Sequence, residues 1–196
     1  AGFYQGTNPI NAAALLVVGY TVRRDAEAAR LLGEARARLD APFADAPGLD
    51  RIQASTVISL LERARAAGAE GSELRGLEHY AQALEDLQRG DLLLAEGELD
   101  AALLDLGETA DLQVLAAALS RGRMHTDEAV AELERALALD PDHARGLVLA
   151  ADLALDAGDG EQALEHLEHL DGLAPDCAPV QNRMGIAYEL LGRADA

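Results

Sequence analysis

A 34-residue recurrence constrains this chain more than any other feature. Ala129, Leu133 and Pro141 return as Ala163, Leu167 and Pro175, and Gly158 returns as Gly192 at the same step. A fixed period of this size defines a stacked repeat, because one short unit cannot bury its own apolar face and relies on the next. Composition points to helices as the repeating element. Hydrophobic residues make up 49% of the 196 positions, yet aromatics are 3% and Trp is absent. The core must therefore be built from Ala, Leu and Val. Ala and Leu are strong helix formers, and alternating β-branched runs are missing. The expected fold is all-α, about ten helices stacked as antiparallel pairs.

Helix boundaries follow from local chemistry. Residues 1–8 read as an irregular lead-in, with Asn8 as cap and Pro9 in the first turn. Ile10 to Val22 is almost wholly apolar but too short for a span of about 20 residues. It is expected as a buried first helix, or one docked on a partner chain, and a truncated membrane anchor is the other reading. Asp25 to Asp40 is a separate amphipathic helix, with Ala28, Leu31, Leu32, Ala35 and Leu39 on one face. Two prolines and a glycine make 41–49 a loop. A helix is expected from Asp50 to Ala67, and another from Glu73, capped by Ser72. That helix is expected to run through Gly90 to about Ala95, with Gly97 as the turn glycine and Ala102 in the second helix, Glu98 to Leu106. Further helices are expected over Asp111–Ser120, Thr126 (as cap)–Leu139, His143–Asp156, Glu161–Asp171 and Ala178–Leu191.

The paired helices and the proline after the second helix resemble the tetratricopeptide repeat family. The second-helix signature is Ala129, Leu133, Ala136 and Pro141, then Ala163, Leu167, Leu170 and Pro175. The first-helix signature is strongest at Gln181, Met184, Gly185, Tyr188 and Gly192, and weaker at Leu147, Ala150, Ala151, Ala154 and Gly158. The likeness covers 110–196. It divides the chain into an N-terminal helical region, 1–72, holding a degenerate repeat and linker, and a repeat array, 73–196, whose last repeat is incomplete. The resemblance implies a right-handed α-α superhelix, a solenoid whose first helices line a concave wall. On that wall it would place Arg145, Val148, Asp152, Asp156, Asn182, Ile186 and Glu189. The family's best-known ligand mode clamps a carboxylate with Lys, Asn and Arg. This chain has no Lys and three acids on the implied wall, so a basic or apolar segment is the expected partner.

Charge supports a protein partner over a nucleic acid. The formal net charge is −19, and residues 91–196 hold most of it, with 23 acids against 6 Arg. Such a surface repels phosphate backbones and anionic membranes and complements a basic partner. The single cysteine, Cys177, allows no intrachain disulfide. The chain begins at Ala1, as expected of a processed protein or an excised fragment, and its compartment, cytoplasmic or periplasmic, is not encoded in these features. The Lys-free, Ala- and Arg-rich composition suggests a GC-rich bacterial genome.

Reactive patterns are few. His166 and His169 share one side of a helix, but Leu164, Leu167 and Leu170 define the inward face, so the pair reads as solvated rather than metal-binding. Gly158–Ala163 matches a dinucleotide fingerprint in letters but follows a helix instead of the required strand. Cys177 sits at a helix start with no base beside it. No metal or cofactor is expected, and no pair of carboxylates stands out as an acid and base. The expected function is a non-enzymatic adaptor holding a partner segment on its concave face. The alternatives are a structural subunit of a larger, envelope-associated assembly and an accessory domain of a longer chain.

Overall fold

A computed structural model of the chain describes residues 9–40, 52–175 and 177–192, with side chains from Arg24 onward. The expected cap Asn8, the loop 41–49 and the side chains of 10–22 lie outside the described residues. The described residues form nine helices and no strand: α1 (Pro9–Leu39), α2 (Ala54–Ala66), α3 (Ser72–Arg89), α4 (Leu92–Leu106), α5 (Ala110–Gly122), α6 (Thr126–Leu139), α7 (Ala144–Asp156), α8 (Gly160–Leu173) and α9 (Ala178–Leu190).

Two expected helices are one. The apolar stretch and the amphipathic stretch join in α1, because Arg23, Arg24 and Asp25 change the polarity of the chain without a Gly or Pro to break it. Two caps also move. His125, rather than Thr126, is the cap residue of α6, and Gly71 precedes a helix that already includes Ser72.

The α3–α4 boundary differs more. Gly90 adopts φ 83° and ends α3, so the helix does not continue to Ala95. The Asp91 N–H closes on Asp86 O at 2.9 Å, the six-to-one bond of a left-handed helix stop. The same closure recurs from His125 to Ser120 O at 2.9 Å and from Asp159 to Ala154 O at 2.8 Å. The turn glycine is therefore Gly90, seven residues before the expected Gly97, which lies inside α4. In this frame α4, α6 and α8 begin 34 residues apart. Ala95, Ala129 and Ala163 are each fully buried at one equivalent position, as are Ala83, Ala117 and Ala151 at another. Small residues there let paired helices approach closely.

The left-handed turn position holds Gly90, Gly158 and Gly192 but, in one repeat, Met124 at φ 65°. A β-carbon in this region costs about 1 kcal/mol. Met124 is 86% exposed, so Met124→Gly loses little packing. We expect the change to raise the unfolding free energy by about 1 kcal/mol, measured by urea denaturation.

Helices pair as α1–α2, α3–α4, α5–α6 and α7–α8, and each pair packs on the next through α2–α3, α4–α5, α6–α7 and α8–α9. The apolar core runs along the stack as three clusters: α1 to α5, then α5 to α7, then α7 to α9. First helices also touch their successors, α1 to α3, α3 to α5, α5 to α7 and α7 to α9. The outer helices α4, α6 and α8 make no comparable contacts with one another. Crowding on one side and splaying on the other give a stack that curves with its first helices inside.

Candidate partner-binding wall

The inner wall is formed by α3, α5, α7 and α9. Its curvature brings residues far apart in sequence into contact. The guanidinium of Arg145, at the start of α7, donates to the Leu39 carbonyl at the end of α1 over 3.2 Å. Tyr80 of α3 is buried nearby, and burial first, then the Asp111 charge, holds its hydroxyl protonated far above the ordinary tyrosine range. His143 joins α5 to α7: its Nδ1 accepts the Gly146 N–H at 3.1 Å, so its Nε2 donates to Asp111 at 3.1 Å.

The seven residues expected on the wall divide into three groups. Arg145 and Val148 are buried and present no open surface: Arg145 is held against the end of α1, and Val148 packs into the α7–α9 core. Asp152 and Asp156 lie on the wall but are paired with arginines from neighbouring first helices. Arg183 of α9 grips Asp152 with two bonds of 2.6 and 3.0 Å. Arg121 of α5 reaches Asp156 at 2.7 Å and stands 4.0 Å from Asp152. The result is a ladder across three helices, Arg121–Asp156 and Arg121–Asp152–Arg183. Asn182, Ile186 and Glu189 of α9 are exposed. Ile186 follows Asp152 by one repeat, which puts it in line with the ladder.

Arg121 and Arg183 were not among the expected wall residues. The 34-residue frame finds Arg121, which stands one repeat before Leu155 and two before the expected wall residue Glu189, but not Arg183, whose equivalents are Leu149 and Leu115. The negative charge, by contrast, sits outside. Helices α4, α6 and α8 carry four acids each and together one arginine, Arg135. Helices α5, α7 and α9 carry four acids and three arginines. The part of the wall made by α5, α7 and α9 is nearly charge-balanced, α3 adds four acids and two arginines, and the outer helices hold the larger excess of acids.

The remaining chemical motifs resolve into structure. His169 Nε2 bonds Asp142 at 2.9 Å, while burial lowers the pKa of His166 below 6.5. His166 lines a largely apolar cleft of about 200 Å³ with Val130, Leu133 and Leu153. Among the described residues no three His, Cys, Asp or Glu side chains gather as a metal site. Gly158 and Gly160 flank the α7–α8 turn, with a helix before it. Cys177 occupies the cap position of α9. No described helix is long and apolar enough to cross a membrane.

No significant match is found among curated proteins or among solved structures. A family model does match: tetratricopeptide repeat, over residues 124–195. That segment contains the left-handed turns at Met124, Gly158 and Gly192, the paired helices α7 and α8, and the buried alanines at positions 129, 151 and 163. Pattern, packing and family model agree over residues 124–195, the part of the chain that is similar to the tetratricopeptide repeat family.

Proposed function

We propose that the chain is a non-enzymatic scaffold that holds a segment of a partner protein on the inner wall of its helix stack. Tetratricopeptide repeats generally mediate protein–protein interaction, which supports the class of function. The observation that carries the location is the strip on α7 and α9 where Asn182, Ile186 and Glu189 stand exposed beside the Arg121–Asp152–Arg183 ladder. Ile186, 43% exposed, offers an apolar seat. Asn182 can both donate and accept, which suits an extended backbone. The paired acids make a purely basic ligand the weaker fit, and an apolar segment with polar backbone contacts the better one. In the same reading α1 and α2 are a degenerate first repeat, since they pair and stack on α3 as later pairs do.

Salt separates this reading from capture by the outer acids. Native partners are captured by affinity at about 0.1 M and about 0.5 M salt, the latter strongly screening exposed charges. Partners held on a charge-balanced wall remain bound at the higher salt. Loss of all partners there would transfer the binding to the acidic outer helices and overturn the wall assignment.

A further inference from the structure

Helix α4 breaks the rule that the other outer helices keep. At equivalent outward positions α6 carries Asp127, Ala131, Glu134, Arg135 and Ala138, and α8 carries Glu161, Glu165, Glu168, His169 and Gly172. Helix α4 carries Leu93, Gly97, Asp100, Ala101 and Leu104. Leu93 is 79% exposed, Leu104 88% and the adjoining Leu94 61%. The inward face of the same helix is already buried through Ala95, Leu99 and Ala102. A helix apolar on both faces is normally covered on both, and its repeat-mates show that the fold itself does not require leucine there.

We infer that the outward face of α4 docks an amphipathic helix of a partner protein whose polar edges carry Lys or Arg. The shape suits a helix. Leu93 and Leu104 bracket a saddle at Gly97 and Ala101, and a β-carbon added at Gly97 would meet nothing within 4 Å. Small residues between two large ones allow helix axes to approach to about 8 Å. Charge selects the partner. Asp91 and Asp100 are exposed at the stripe, and the turn tied to α4 by Arg123, which donates to the Leu92 carbonyl at 3.2 Å, runs on into the exposed Asp127 and Glu128. A second copy of this chain is a poor occupant, since each copy carries −19 and the contact would oppose like charges. This surface is separate from the inner wall and does not rest on it.

The test titrates the full chain with a fluorescent model helix of about 18 residues, long enough to be helical when docked. It carries Leu at i, i+3, i+4 and i+7 and Lys elsewhere, and a counterpart replaces Lys with Glu. The Leu/Lys helix is expected to bind wild type at least about tenfold more tightly than Leu93→Ser/Leu104→Ser. Gly97→Gln, which fills the saddle without touching the core, is expected to weaken binding similarly. Both variants change exposed positions, and circular dichroism verifies that helicity is kept. Unchanged affinity in the double variant overturns the inference, as does equal binding of the Leu/Glu helix. A wild-type mass that doubles with concentration and returns to one chain in the double variant also overturns it, in favour of self-association.

Discussion

Leu167→Ala is expected to lower the unfolding free energy by about 3 kcal/mol, within the usual range for emptying a well-packed leucine site. Leu167 is fully buried in the α7–α9 cluster, with Leu147, Ala151, Ala163, Val180 and Ala187. Those neighbours sit on backbone held by helix pairing, so the cavity cannot close by a small side-chain shift. The consequence should also be local. Contacts in a stack run mainly between neighbours, and the α1–α5 cluster shares no residue with the α7–α9 cluster. Urea denaturation should therefore lose its single step in the variant. Amide exchange should accelerate in α8 and α9 while α2 and α3 stay protected. Uniform acceleration along the chain would contradict the division of the core.

Where the sequence was legible, local rules and the period agreed. The stripe on α1 is buried as read at Ala28, Leu31, Ala35 and Leu39, with Leu32 half-buried against the same core. The second-helix positions Ala129, Leu133, Ala163 and Leu167 are likewise inside. The α3–α4 boundary was misread because two glycines, Gly90 and Gly97, sit seven apart, and either could serve as the turn. In the structure the left-handed Gly90 and the hydrogen bond from Asp91 to Asp86 O select Gly90. Extending the alanine frame back to Ala95 and Ala83 would have done so from letters alone.

The wall was less legible, for a physical reason. Whether Arg145 faces solvent depends on the end of α1, a residue 106 positions away. That contact is a product of accumulated curvature, which no local pattern encodes. Charge was visible in total but not in place. Asp152 and Asp156 read as an acidic patch until Arg121 and Arg183 are set beside them. On the outer helices the exposed acids are Asp100 of α4, Asp127, Glu128 and Glu134 of α6, and Glu161, Glu165 and Glu168 of α8, which keep that surface hydrated and repel other copies of the chain.

The second large effect concerns binding. Asn182→Ala/Ile186→Asp/Glu189→Lys changes three exposed positions of α9 and leaves the buried Val180 and Ala187 in place. The fold should persist, with helicity unchanged. An aspartate at 186 puts a charge where the partner's apolar group would sit, and desolvating it costs several kcal/mol. The most direct measurement is quantitative capture of native partners on wild type, on this triple variant and on Leu93→Ser/Leu104→Ser. Partners seated on the inner wall are expected to fall at least about tenfold on the triple variant and to stay bound to the α4 variant. If the triple variant retains every partner at wild-type level while keeping its helicity, the inner wall is not the binding surface.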